Sequence, residues 1–508
     1  MSGSAVGRGG RLLAGWSANS AQLLLGFVQQ IALVPVFLHY WTGEVLAAWL
    51  VIYAVGNLVL IADGGLQFRA INRFLGFKSG VDADGRTARF YAALLRVYLC
   101  LGILLAVLVV GVCWLLSPSV VLRFQGIPNF DVAFVVMAAG ILLTLPSGLA
   151  AALYRARGLY GRAVWLQNWG TLAGQAAQLV AVIVTGSLLA VVTVYVAAQM
   201  LLALYLLTVD SRRLFPFLRG GAGKAHSLRW VIGQLRKGVP FGLATATELV
   251  LLNLPVLLVS ALVSDRVAVA QWGLTRVVAG LLRGLCQQAT LPLAAELGHD
   301  HAVEAVDRLR NLYARGSVLV TLLASLVVSG LLPFWPDFFA LWTHGAVPYD
   351  PLLTMTLLIG AAAAAPSILA LGYAYYSNRG ELLLQTKGLQ LVVFLALSAI
   401  LIPSIGLVGA AIAVVASDLL IQFGFLGRII LQQTLQRPLR HAGFLAGVMI
   451  AVTLAGWALG MAIRQALPFA GAIRFFAECA LWLAVVLAAA SPLALNSVRA
   501  RMTAAIPR

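Results

Sequence analysis

The sequence predicts an all-α polytopic membrane protein of about fourteen transmembrane helices, and three observations carry that prediction. Of its 508 residues 61% are hydrophobic and only 10% charged, whereas an ordinary soluble domain has about 25% charged residues. Apolar runs around Gly102–Leu116, over Val132–Leu153 and over Ser187–Leu207 reach the roughly 20 residues that carry a helix across a ~30 Å hydrocarbon core. The short segments of alternating polarity that a membrane β-barrel needs are missing.

Taken in order, apolar stretches between polar breaks place spans beginning near residues 12, 45, 92, 132, 163, 187, 239, 267, 316, 352, 386, 406, 442 and 473. The first follows Arg8 and Arg11 and is interrupted by Asn19, Gln22, Gln29, Gln30 and Pro35. With no small-residue cleavage site, it reads as a retained span rather than a removed signal. If the chain starts in the cytoplasm, inside segments carry 28 basic residues and outside loops four, with Arg96, Arg276 and Arg283 inside spans. That asymmetry satisfies the positive-inside rule and places both termini in the cytoplasm. It also explains a net charge of +18 without invoking nucleic acid. Cys100, Cys113, Cys286 and Cys479 all fall in apolar spans, so they read as small core residues rather than a disulfide framework.

The longest inside loop, Arg212 to Lys237, is basic, contains Gly220, Gly221 and Gly223, and reads as a linker. It divides the chain into an N-terminal six-helix bundle (1–210), the linker (211–238), a second six-helix bundle (239–435), and two additional helices with a cytoplasmic tail (436–508). The segment Tyr40–Trp49 to Arg73 is similar to Ser264–Trp272 to Glu296 at an offset of 223 residues. Each has a long span, a short outside loop, a tryptophan, an amphipathic helix and a charged inside loop. Like-oriented halves of this kind imply parallel repeats about an axis along the membrane normal, with a substrate path between them.

Two stretches carry a family resemblance. One is the second span and its exit, Trp49 through Asn57 to Asp63-Gly64-Gly65-Leu66, followed by Arg69 and Arg73. The other runs from Val269 through Trp272 and Arg276 to Leu291-Pro292, with Asp307 and Arg310 on the charged helix behind it. Over about residues 10–435 the sequence resembles the Wzx-type polysaccharide flippases of the multidrug/oligosaccharidyl-lipid/polysaccharide exporter superfamily. The resemblance implies two six-helix bundles forming a V around a central cavity that opens alternately to each side. It implies movement of an undecaprenyl-diphosphate-linked oligosaccharide to the outer leaflet of a bacterial cytoplasmic (inner) membrane, for cell-surface polysaccharide export. The partners it implies are the lipid-linked saccharide and membrane lipids, with a polysaccharide polymerase and export machinery as further candidates. The last two spans lie beyond the common core and are candidates for lining a lipid-tail groove.

Each ionisable group inside the membrane costs ~2.5–3.5 kcal/mol or more at mid-span and needs a reason. Arg276 lies nine residues into the eighth span, roughly 14 Å deep at 1.5 Å per residue. Arg283 follows two turns on, about 24 Å along, near enough to the cytoplasmic surface to snorkel. Both are candidate substrate-binding residues, because planar guanidinium donors suit diphosphate oxygens. The alternative for Arg276 is an ion pair with Glu248, at similar depth in the seventh span; such a pair could also gate. Asp418 in the twelfth span is a candidate for coupling to a proton or sodium gradient, or else a paired structural carboxylate. Asp63 reads as structural, organising the Asp-Gly-Gly turn and pairing with Arg69 or Arg73. Asn19, Gln22, Gln29 and Gln175, with Gln30, Gln167, Asn168 and Gln178, form polar faces suited to sugar hydroxyls or to helix–helix hydrogen bonds.

No enzyme site and no cofactor is expected. The six histidines, His39, His226, His299, His301, His344 and His441, lack zinc-site spacing, no GxxxxGK[ST] loop is present, and the longest outside loop, Phe334–Asp350, is short for a glycosyltransferase or polymerase. A cation-coupled drug antiporter of the same superfamily is the second reading. It would favour carboxylates where this chain has arginines. A non-transporting membrane scaffold of a polysaccharide pathway is the third, and would have little use for buried amides and charges.

Overall fold

The computed structural model describes residues 8–77, 82, 84–220, 228–302, 304–377, 379–467 and 471–491, and among them every regular element is helical. The first are α1 (Arg8–Tyr40), α2 (Gly43–Leu58), which tightens into a 3₁₀ turn at Val59–Asp63, the short α3 (Leu66–Gly76), α4 (Arg86–Leu116) and the single turn α5 (Pro118–Val121). Next come α6 (Phe130–Thr144) with α7 (Ser147–Ala156), then α8 (Tyr160–Thr185), and α9 (Leu188–Leu204), which passes through a π segment at Tyr205–Asp210 into α10 (Ser211–Leu214). The rest are α11 (Leu228–Leu262), α12 (Arg266–Ala302), α13 (Val306–Thr343), α14 (Pro351–Tyr376) and α15 (Gly380–Ser417), followed by a second π segment (Asp418–Gly427), α16 (Arg428–Thr434), α17 (Pro438–Ala466) and α18 (Gly471–Ala490).

Among the described residues nine stretches are long and apolar enough to cross a membrane. The stretch Gly380–Thr434 is two spans, because Ile405 and Gly406 leave the helical region, Gly406 at φ 60°, just after Pro403. The less apolar α1, α8, α11 and α12 complete fourteen membrane-length rods. Helix starts at Arg8, Gly43, Arg86, Phe130, Tyr160 and Leu188 recur at Leu228, Arg266, Val306, Pro351, Gly380 and Leu407, about 220 residues on each time, as duplicated repeats do. One sequence expectation changes: α13 continues through Pro333 and Pro336 to Thr343, so Phe334 lies in a helix and the outside loop before α14 is short.

The chain divides into two compact units, Met1–Ala261 and Leu262–Arg508, so α11 belongs with the first. In the first unit α8 packs between α1 and α9, and α6 between α4 and α9. The amphipathic α3 turns Leu66, Ala70 and Phe74 onto Phe90 and Leu94 of α4 and Leu149 and Leu153 of α7, while Arg73 stays exposed. Opposite faces are greasy: α4 exposes Leu104, Val107, Leu108, Trp114 and Leu115, an arrangement that is stable only with lipid outside. Short turns use capping chemistry. Gly186 ends α8 in the left-handed region, Ser187 caps α9 through the Ala190 N–H, and the Trp41 indole donates to the Gly186 carbonyl at 2.6 Å.

In the second unit α14 packs on α12, α13 and α15. The two additional helices are fastened to α13. Gly456 faces Ser329, Gly460 faces Pro333, and Trp482 Nε1 donates to the Gly456 carbonyl at 3.0 Å. Arg464 donates to the Pro333 carbonyl at 3.1 Å and to Asp337 at 2.9 Å, and Arg474 joins Glu478 at 2.8 Å. Glu478 is fully buried.

The Asp63-Gly64-Gly65 turn is where backbones approach most closely in the first unit. A Cβ on Gly65 would lie 2.2 Å from the Gly238 carbonyl oxygen and 2.5 Å from the Gly242 nitrogen of α11. A Cβ on Gly64 would meet nothing nearer than 3.9 Å. Both residues have positive φ, 57° and 77°. Gly64→Ala should therefore lose only the left-handed penalty, roughly 1–2 kcal/mol, and Gly65→Ala a further ~1–3 kcal/mol of overpacking. Thermal unfolding of the detergent-purified protein should rank wild type above Gly64→Ala above Gly65→Ala; equal shifts would show that the approach to α11 is not tight.

Candidate functional site

Among the described residues of the second unit, one polar cluster forms a closed ring. In a helix, residues three or four apart share a face, so α15 presents Lys387 with Gln390 and the π segment presents Asp418 with Gln422. α12 adds Arg283 and α14 adds Ser367. Arg283 Nη1 donates to Asp418 Oδ2 at 3.0 Å and Nη2 to Gln422 Oε1 at 3.4 Å. Lys387 Nζ donates to Gln422 Oε1 at 3.0 Å and to Gln390 Oε1 at 3.2 Å. Gln390 Nε2 closes the ring on Asp418 Oδ1 at 2.5 Å, and Gln422 Nε2 is anchored on Ser367 Oγ at 2.8 Å. Arg283 bonds the Asp418 carboxylate directly, and Lys387 is tied to it through the Gln390 amide. π segments, in which hydrogen bonds slip by one residue, recur at functional sites.

A second ion cluster lies in the first unit, again at a π segment. Asp210, 1% exposed, accepts from Arg162 Nη2 at 2.5 Å and Nε at 3.2 Å, and from the Tyr154 hydroxyl at 2.7 Å. One carboxylate meets one forked cation and one phenol. This arrangement is charge-balanced and joins the ends of α7, α8 and α9.

Several expected site residues sit in other surroundings than the sequence indicates. Arg283 is paired to Asp418 within the unit. Lys387, expected in an inside loop, lies on α15 with no exposed surface. Asp63 accepts from the Tyr98 hydroxyl at 2.5 Å and caps α3 through the Gln67 N–H at 3.2 Å, while Arg69 Nε donates to Gln234 at 3.2 Å. His441, expected at a span edge, is buried with Nε2 2.8 Å from Ser317 Oγ.

Gln175 is buried and its amide donates to the Leu25 carbonyl of α1 at 3.3 Å; Asn168 does the same to Ala18 at 2.8 Å. These amides join α8 to α1. Gln22 on α1 is exposed, and the side chains of Asn19 and Gln29 lie outside the described residues. Glu248 on α11 and Arg276 on α12 are both half-buried, in the first and second units respectively.

Fourteen membrane-length helices, twelve of them in two sets of six that begin about 220 residues apart, make a multi-pass helical membrane fold with charges held inside the helices. The chain is similar to MurJ, a lipid II flippase in an inward closed conformation, with a TM-score of 0.72 at 11% identity over 96% of this chain and 99% of that one. It is also similar to an inward-facing multidrug resistance MATE family transporter of the MOP superfamily, TM-score 0.57 at 14% identity over 84% of this chain and 96% of that one. A Vibrio cholerae MATE transporter gives a TM-score of 0.53 at 15% identity over 83% of this chain and 97% of that one. No family model and no curated relative matches the sequence.

The ring sets an expectation for stability. Asp418→Ala removes the carboxylate that Arg283 and Gln390 bond and should destabilise the second unit by about 3–5 kcal/mol. Lys387→Met keeps the side-chain volume and removes the hydrogen bonds to Gln390 and Gln422, so it should lose less, about 1–3 kcal/mol. Thermal unfolding of the purified variants checks the difference; a larger loss for Lys387→Met would show that Asp418 is not the group on which the ring depends.

Proposed function

We propose that the protein flips a lipid-linked oligosaccharide of the undecaprenyl-diphosphate type from the cytoplasmic to the outer leaflet by alternating access, for cell-surface polysaccharide export from a bacterial cytoplasmic membrane. The observation that carries this reading is the sign of the charge held inside the spans. Arg276, Arg283 and Lys387 all lie within membrane-length helices. A lipid-borne diphosphate is an anion that such cations recognise, with planar guanidinium forks matching its oxygens.

The extent of the fold likeness supports the same reading. The likeness to the lipid II flippase takes in 96% of the chain, whereas the MATE transporters match 84% and 83%. A cation-coupled drug antiporter is the competing reading. It would require a carboxylate-rich interior for cationic cargo, and Asp418 is already engaged by Arg283. In the proposed reading Arg276 and Arg283 hold the diphosphate, the exposed Gln22 is placed for sugar hydroxyls, and Glu248 is a gating residue.

Arg276→Ala should insert normally and lower flipping at least about tenfold, the scale of one or two charged hydrogen bonds. Arg276→Lys should recover part of it, keeping the charge without the fork. Mass spectrometry of lipid extracts from cells relying on each variant reads this directly: a lipid-linked oligosaccharide accumulates when flipping stalls. An unchanged lipid profile in depleted cells would favour the antiporter reading, and drug-efflux assays would follow.

A further inference from the structure

We propose that the start of α8 and the end of α9, side by side in the first unit, form a docking surface for one anionic glycerophospholipid of the cytoplasmic leaflet. Its phosphate would sit on Arg162, Arg212 and Arg213, and its acyl chains along the exposed faces that begin at Trp165 and Tyr205. The inward orientation of this end comes from the charge asymmetry of the sequence, and the identity of the cargo does not enter.

Between Tyr154 and Gly220 the chain carries six arginines, no lysine and a single acid, Asp210. That acid is enclosed, accepting from Arg162 and from the Tyr154 hydroxyl. The ion pair uses Nε and Nη2 of Arg162, yet the side chain remains 46% exposed. One edge of the guanidinium is thus held by a buried carboxylate, and Nη1 keeps its donors for a second acceptor. An arginine oriented in this way has already lost the rotamer freedom that binding would otherwise cost. Arg212 and Arg213 follow Asp210 directly, on α10, and are exposed. Planar guanidinium donors match phosphate oxygens better than ammonium groups do.

The apolar half of the surface begins on the same helix face. Arg162, Trp165 and Trp169 recur at three and four residues, both tryptophans are exposed, Trp169 by 62%, and the stripe continues into Leu172 and Val180. At 1.5 Å per residue the two rings lie roughly 4.5 and 10 Å along the helix from Arg162. Phosphate, glycerol esters and acyl chains follow one another in that order in a phospholipid, and tryptophan and tyrosine collect where headgroups meet hydrocarbon. α9 packs beside α8, with Gly170 against Leu202, and exposes Leu201, Leu204 and Tyr205. Tyr205 is within electrostatic reach of Arg162. A soluble anion would use the arginines and leave the aromatic face idle, and a zwitterionic lipid would bring its own cation against them. An anionic lipid uses both halves. Arg437 and Arg440 at the start of α17 are exposed too, but the first tryptophan beyond them on that helix is Trp457, about 25 Å on.

Native mass spectrometry of the full-length protein in detergent tests this, with phosphatidylglycerol and phosphatidylcholine of identical acyl chains titrated separately. The first equivalent of phosphatidylglycerol should bind about tenfold or more tighter than phosphatidylcholine, and Arg212→Gln/Arg213→Gln should remove most of that preference, at ~1 kcal/mol per arginine. Arg162→Lys keeps a cation for Asp210 without the fork, and should weaken phosphatidylglycerol severalfold while leaving phosphatidylcholine unchanged. Trp165→Ala should weaken both lipids and leave their ratio as it was. The control Arg437→Gln/Arg440→Gln removes the same charge elsewhere and should bind the first equivalent as wild type does. If Arg162→Lys fails to fold around the enclosed Asp210, the Arg212/Arg213 variant, built on exposed residues, carries the test. A wild type without preference for phosphatidylglycerol overturns the proposal, as does a control that loses as much as Arg212→Gln/Arg213→Gln. Displacement of the bound lipid by inorganic phosphate at equal concentration also overturns it, because the surface would then be a simple anion site.

Discussion

Inside a bilayer no water answers a buried charge or amide, so each must be met by another part of the chain. Asp418 shows how far that constraint reaches. Its two oxygens draw Arg283 from α12 and Gln390 from α15, and through the amides of Gln390 and Gln422 they tie in Lys387 and, on α14, Ser367. The apolar packing of α14 against α12 and α15 brings these helices together without choosing a register. The ring chooses it, because sliding one helix by a residue would leave at least one charge unmet. Dispersion and lipid exclusion supply cohesion here, and the polar ring supplies specificity.

The first unit meets the same constraint by a different route. Asp210 is closed by one forked arginine and one phenol, and the amides of Asn168 and Gln175 extend to carbonyls of α1. Each such bond contributes modestly, about 0.6 kcal/mol by analogy with other membrane bundles. Their joint effect is to fix α8 against α1. Close backbone approach does comparable work at Gly65, Gly238 and Gly242, where the lack of side chains lets the Asp-Gly-Gly turn rest on α11. One unit is thus held by amide bonds, close backbone contacts and a closed carboxylate, and the other by a ring that links α12, α14, α15 and the second π segment.

Much of the fold was legible in the sequence, because the hydrophobic signal of a spanning helix is long and strong. Span starts near 45, 132, 187, 267, 352, 406 and 473 lie within two residues of helices beginning at Gly43, Phe130, Leu188, Arg266, Pro351, Leu407 and Gly471. The wider misses share a cause. Spans placed near 92, 239, 316 and 386 begin earlier, at Arg86, Leu228, Val306 and Gly380, because these helices start with charged turns that an apolar window excludes. The same exclusion assigned Lys387 to a loop and hid it from the candidate site. Arg283 was visible as a residue but not as a partner, since depth along one helix says nothing about which side chain on another lies opposite. Spacing did hold a usable clue: Lys387 with Gln390 and Asp418 with Gln422 each put a charge and an amide on one helical face.

The last two helices bear on why such a ring is useful. α17 and α18 are fastened along α13 by small-residue contacts and by Arg464, Asp337, Arg474 and Glu478, so they ride with the second unit as part of one compact body. In the proposed flippase such a body would have to be stiff inside and responsive where cargo is sensed. Stiffness comes from dry packing, which resists small deformations. Responsiveness has to come from an element with two arrangements of similar energy, and hydrophobic contacts, being non-directional, rarely supply one. In the flippase reading Arg283 supplies one, because its guanidinium can bond either Asp418 or an incoming anion.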